Sequence, residues 1–90
     1  MASIVNPKKD GSSPNSPVPR ETVDTSTGSV EKGFRTVSFL NSGTIDITVN
    51  GETVEPGDSK TYPQMIGGQT YPDDIAWVAT GGQVTVLAVY

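Results

Sequence analysis

Between Phe34 and Tyr90 the apolar residues recur at every second position, and no stretch of the chain sustains the spacing of about 3.6 residues that marks a helix face. The segment TIDITVN (44–50) shows this most cleanly. Ile45, Ile47 and Val49 point one way while Thr44, Asp46 and Thr48 point the other, which describes a strand with one wet face. FRTVSFLN (34–41) alternates less regularly, with Val37 and Phe39 on one face and Phe34 and Leu40 on the other. ETV (52–54), SKTY (59–62), IAWVAT (75–80) and QVTVLAVY (83–90) supply further strands. Turn chemistry separates them. Asn41-Ser42-Gly43 reads as a turn, and Asn50-Gly51 suits a two-residue type I′ hairpin, in which both residues take positive φ. Pro56-Gly57 suits a type II turn, and Gly81-Gly82 reads as the turn of a hairpin joining the last two strands. The expectation is an all-β domain over residues 34–90, a small β-sandwich or meander of about six short antiparallel strands.

Composition changes at Gly33. Every aromatic side chain (Phe34, Phe39, Tyr62, Tyr71, Trp77 and Tyr90) follows it, whereas Pro7, Pro14, Pro17 and Pro19 precede it among Ser, Thr and Asn. Between Pro7 and Thr27 the apolar side chains other than proline are Val18 and Val23 alone, too few to give an element a hydrophobic face. Residues 1–33 therefore read as an extended, polyproline-like N-terminal arm with no ladder of its own, tethering the domain to a partner. Ile4 and Val5 near its tip, with Pro17 and Val18, are its candidate partner contacts. On this reading, removing residues 1–33 leaves the circular dichroism of the β domain unchanged.

Charge narrows the function classes. In the first third Lys8, Lys9, Arg20 and Lys32 balance Asp10, Glu21, Asp24 and Glu31, so the net charge of −4 falls wholly on residues 34–90. An acidic domain repels phosphates, and neither nucleic acid nor an anionic membrane is an expected partner. No apolar run follows Met1 as a signal peptide would require, and none is long enough to span a bilayer. The chain has no cysteine and no histidine, so disulfides, thiolate or imidazole metal ligands and His-dependent catalysis are excluded within it. The glycine pairs at 67–68 and 81–82 lack the flanking pattern of a phosphate loop. Asp73-Asp74, and Asp46 with Glu52, Glu55 and Asp58, are the carboxylates that could ligate Ca²⁺, but their spacing matches no calcium loop and they read as solvated turn residues. No cofactor and no enzymatic activity are expected.

Two features point toward binding. In the last two segments Ala76 and Val78 oppose Ile75, Trp77 and Ala79, while Leu87 and Val89 oppose Val84, Val86, Ala88 and Tyr90. A domain this small cannot readily cover both faces, so either these strands are central in a two-layer sandwich or a face or edge of the last strand enters a subunit contact through Leu87, Val89 and Tyr90. The expectation is a homo-oligomer, with a trimer among the stoichiometries. The second feature is PQMIGGQTYPDD (63–74), a connection long enough to carry a ligand through Met65, Ile66 and Tyr71. Tyr62, Tyr71 and Trp77 could form a sugar-binding platform, although sharing a strand face with Ile75 suits Trp77 better to the core.

The run VSFLNSGTIDITVNGETVEPGDSKTYP (37–63), behind a low-complexity leader and ahead of a terminal VTVLAVY strand, resembles the short β-rich structural proteins of bacteriophage virions. These are head-decoration, fibre, spike and tail-associated subunits. The resemblance implies a non-enzymatic virion component, made in the host cytoplasm, oligomeric, and laid by its arm across a capsid, neck or tail protein. A small carbohydrate- or receptor-binding β module using the 63–74 loop, and an accessory domain acting on a larger enzyme, are the alternatives.

Overall fold

The computed structural model describes residues 2–8 and 16–90; residues 1 and 9–15, among them Pro14 of the expected arm, lie outside the described residues. Nine strands form two sheets packed face to face: β1 (Ala2–Ile4), β2 (Pro19–Asp24), β3 (Thr27–Val30), β4 (Thr36–Asn41), β5 (Ile47–Val49), β6 (Glu52–Val54), β7 (Ser59–Tyr62), β8 (Ile75–Val78) and β9 (Val84–Val89). One sheet runs β1-β3-β8-β5-β6 and the other β2-β9-β4-β7. All neighbours are antiparallel except β1 and β3, which are parallel. This is the expected all-β sandwich, and the strands β4 to β9 fall where the alternation placed strands.

The leader departs from expectation. Three of its segments are strands, and two of them lie beside the core strands β8 and β9. β2 pairs along the whole of β9, from Pro19 opposite Val89 to Asp24 opposite Val84, and Val18 and Tyr90 exchange backbone hydrogen bonds of 3.2 and 2.9 Å beyond the strand end. β3 pairs with β8, and β1 lies outside β3. Sparse apolar content does not preclude a strand here, because β2 is an edge strand. Four of its six residues are exposed, and its main chain, not its side chains, holds it to β9. Asn6 adds a further clasp: its N–H donates to Glu31 Oε1 at 2.7 Å and its side-chain amide to the Lys32 carbonyl at 3.1 Å.

A second correction concerns the final hairpin. Gly81 does take positive φ and Gly82 N–H closes the turn on the Ala79 carbonyl at 2.8 Å, but β8 and β9 belong to different sheets. Among the described strands β5 and β6 are the one consecutive pair that share a sheet, joined by Asn50 (φ 52°) and Gly51 (φ 81°), both positive as the type I′ turn requires. Gly57 (φ 84°), with Asp58 N–H on the Glu55 carbonyl at 3.0 Å, closes the expected Pro-Gly turn, and this turn carries the chain from β6 across to β7 in the opposite sheet.

Between the sheets lie Trp77, Phe39, Phe34, Tyr90 and a set of valines and isoleucines, all essentially inaccessible to solvent. Trp77 takes the inward role expected of it. Its indole lies over Gly28, where a Cβ would overlap the ring and the Ala2 carbonyl, so only glycine fits opposite it. One buried carboxylate completes the core. Asp24 Oδ2 accepts the indole Nε1–H at 2.9 Å, while Oδ1 accepts Thr25 N–H at 3.0 Å and the Ser26 hydroxyl at 3.1 Å. The same side chain thus ends β2, shapes the turn into the opposite sheet and satisfies the tryptophan. Burial alone would raise its pKa, but those hydrogen bonds, with one from Ser26 N–H, outweigh it and hold the carboxyl below its ordinary value.

Candidate functional site: two charge-poor faces, guarded edges and an end pocket

Strand register determines which side chains meet on each outer surface. On the four-stranded sheet, Val23, Thr85, Leu40 and Ser59 form one cross-strand row, and Glu21, Leu87, Ser38 and Thr61 form the next. Pro19, Val89 and Thr36 continue the surface. Val23, Leu40 and Leu87 are 54%, 40% and 42% exposed, a contiguous apolar patch set among hydroxyls. Glu21 is the one charge among these outward strand positions. On the five-stranded sheet the outward rows are Thr27, Val78, Thr48, Thr53 and Ser3, Ser29, Ala76, with no charge at all. A solvated antiparallel sheet ordinarily carries Lys and Glu on its wet face. Among the described residues, Glu21 is the one charged side chain at the outward strand positions of either sheet.

Charge has gone to the edges. Lys60 on β7 and Glu52 on β6 point into the open side of the sandwich and pair across it at 2.7 Å, Lys60 also lying 5.7 Å from the Tyr62 ring. The pairing raises the Lys60 pKa. β2 carries Arg20 on its inward side and begins at Pro19, with Pro17 just before it, and neither proline offers an N–H to an incoming strand; β1 and β6 are three residues long. Inward charges, prolines and short length are the devices that stop a sheet edge from recruiting another strand. A cleft of about 380 Å³ between β6 and β7 is lined by Glu52, Thr53, Glu55, Asp58 and Lys60, the ion pair forming part of its wall.

A second hollow of about 380 Å³ lies at the end of the sandwich, lined by Asn50, Tyr62, Tyr71, Asp73, Asp74 and Ile75. Its aromatic walls are fixed. Tyr71 stacks on Phe34 (4.8 Å, 10°), meets Tyr62 edge-on (5.9 Å, 89°), and donates its hydroxyl to the Pro63 carbonyl at 2.6 Å. Asp74 Oδ1 accepts Lys32 N–H at 2.7 Å, a further tie to the leader.

The sequence-derived site residues scatter among these places. Ile4 is in the core, so it cannot serve as an arm anchor; Val5 is half-exposed, Pro17 is exposed, and Val18 is tied to Tyr90 by backbone bonds. Tyr90 is likewise buried, its hydroxyl donating to the Glu31 carbonyl at 2.7 Å with its pKa raised by burial first and by Glu31 and Asp74 after it, so it offers no side chain to an oligomer contact. The last strand has no open edge, because β2 and β4 flank it. Leu87 and Val89, by contrast, stand on the outer face of the four-stranded sheet, where Glu21 is the one charge. Val23 and Leu40 share that patch and were not singled out from sequence, since only the register reveals them as neighbours of Leu87. In the long loop Met65 is half-buried, Ile66 is 96% exposed at the tip, and Tyr71 turns back to Phe34. Among the described residues no group of three carboxylates converges to hold a metal ion.

Comparisons with protein-family models, with curated proteins and with solved structures find no match to this chain.

Proposed function

We propose that the chain is a non-enzymatic structural subunit of a larger particle, packed into it through the outer faces of its two sheets, with a bacteriophage virion as the particle and its capsid, neck or tail proteins as neighbours. The observation that carries the reading is the removal of charge from both outer faces, with Glu21 as the exception, in a chain that is otherwise charged. Desolvating Thr, Ser, Ala, Val and Leu costs far less than desolvating Lys or Glu, so such faces are suited to dry, repeated contacts. Within this reading the leader completes the sandwich, and holding the subunit in place falls to the faces. Many weak contacts made in parallel give firm retention. Density-gradient fractionation of particles from the native source, with mass spectrometry of each fraction, tests it: the chain should migrate with the particles at a fixed ratio to their major protein, and recovery only among low-mass soluble proteins would overturn the proposal.

The end pocket favours a second reading, a module binding a small polar ligand or receptor group. Asn50, Asp73 and Asp74 supply hydrogen-bond acceptors beside two immobilised tyrosines. With one face of the Tyr71 ring taken by Phe34, less aromatic surface remains for stacking against a sugar. Titration of the labelled chain with a panel of oligosaccharides, followed by amide shifts at Asn50 and Tyr71, decides this reading.

A further inference from the structure

The two outer faces are not equivalent, and the difference identifies a partner for one of them. The five-stranded sheet presents hydroxyls with Ala76 and a single large apolar residue, Val78. The four-stranded sheet presents Val23, Leu40, Leu87 and Val89 around the small residues Ser38, Thr36 and Thr85. Register sets Leu40 diagonal to Leu87, and Leu87 diagonal to Val23, with Thr85 between Val23 and Leu40, so the apolar side chains are neighbours interleaved with hydroxyls. We infer that this face of the four-stranded sheet binds the same face of a second copy of the chain, weakly. The inference rests on the proposal that the outer faces are contact surfaces.

Charge selects the occupant. A basic partner would find one carboxylate on this face, Glu21, and an acidic partner would find no cation. The matching surface is therefore neutral, part apolar and part hydroxyl. A second copy supplies such a surface, with Glu21 as its one charge, and a two-fold axis sets the apolar side chains of one copy against those of the other. Self-contact brings only Glu21 of each acidic chain to the contact, because Asp46, Glu52, Glu55, Asp58, Asp73 and Asp74 lie on edges, turns and loops outside the patch.

Area sets the strength. Four strands spaced about 4.8 Å apart and six residues long at about 3.4 Å per residue cover roughly 400 Å². A stable complex buries about 800 Å² on each partner. The dimer should therefore dissociate in the high-micromolar to millimolar range and be populated where copies are held at high local concentration.

A dilution series of the full-length ¹⁵N-labelled chain from about 20 μM to 1 mM, read by amide shifts and by sedimentation velocity, tests this. Expected are concentration-dependent shifts confined to Val23, Ser38, Leu40, Thr85 and Leu87 and their neighbours, a rising weight-average mass, and loss of both in Leu87→Lys, with an affinity drop of at least about tenfold. Thr48→Lys on the opposite face should leave the self-association as it is and shows that a new lysine alone is not the cause. Absence of any dilution effect at 1 mM, or shifts centred on the five-stranded sheet or on β7, would overturn the inference. If self-association is absent while Leu87→Lys still prevents incorporation into particles, the face meets a different protein; the subunit reading then stands and this inference fails alone.

Discussion

Thr27, Val78, Thr48 and Thr53 lie side by side across one outer face with no charge among them, while the strands that end the sheets carry Arg20, Glu52 and Lys60 turned inward, with Pro19 opening β2 and Pro17 just before it. Edges normally invite association and wet faces normally resist it. In this molecule the chemistry is reversed: the unsatisfied backbone of the edges is protected, and the faces lack the charges that would keep them hydrated. The difference argues that contact with other molecules proceeds by stacking sheets and not by extending them. It also assigns the leader a place, because without β2 and β3 the strands β9 and β8 would become long, apolar edges.

The largest break in this comparison is removal of the leader. Deleting residues 1–33 takes away β1, β2 and β3, uncovers the edges of β8 and β9, and leaves Trp77 without its Asp24 partner and without Gly28 beside it. We expect loss of cooperative thermal unfolding and of the β-type circular dichroism, with aggregation of the product. A deleted chain with an unchanged spectrum would restore the separate arm inferred from composition.

Next in size are core substitutions. Trp77→Ala should cost about 3–5 kcal/mol in denaturant unfolding. Asp24→Ala should cost about 1–3 kcal/mol, because it strands the buried indole N–H. Its pH dependence sharpens the assignment. The folded carboxyl titrates below its ordinary value of 3.8, so its stabilisation is whole above that value and is lost as the pH falls through the lower folded value. The stability difference between the parent and Asp24→Asn should therefore be constant at neutral pH and shrink at acid pH. A difference independent of pH would remove the carboxylate from this role.

Edge protection is a smaller effect on stability and a larger one on behaviour. Replacing Lys60 and Glu52 together by Thr should leave the denaturant midpoint nearly unchanged, since the pair is substantially exposed. The same variant should aggregate faster, as measured by light scattering at constant temperature. Unchanged aggregation would mean that the edges need no guard. Smallest of all, Leu87→Lys and Thr48→Lys should each alter stability by about 0.5 kcal/mol or less, as measured by denaturant unfolding, because neither side chain is buried in the free chain.

The strands and turns between Phe34 and Tyr90 were legible because local chemistry specifies them: alternation sets the strand faces, and Asn50-Gly51 and Pro56-Gly57 set positive φ. Sheet membership was not legible. Gly81-Gly82 looks the same whether it closes a hairpin or carries the chain between sheets, and the choice depends on partners remote in sequence. β2 was hidden for a related reason, since an edge strand held by its main chain needs few apolar side chains. Ile45 shows the limit of periodicity. It continues the pattern of Ile47 and Val49, yet β5 begins only at Ile47, and Ile45 is 45% exposed, lying against Gly81 and Gly82. Of the candidate contacts, Leu87 and Val89 were visible because their strand is apolar on both sides; Val23 and Leu40 became their neighbours only once the register was known.

Hydroxyl-radical footprinting of the chain, free and within its native particle, addresses the contrast between faces and edges most directly. Val23, Leu40 and Leu87 should lose reactivity on assembly while Ile66 at the loop tip and Tyr62 on the edge strand keep theirs. Protection of Ile66 and Tyr62 with the sheet face still reactive would contradict the account and transfer the contact to the loop and its pocket.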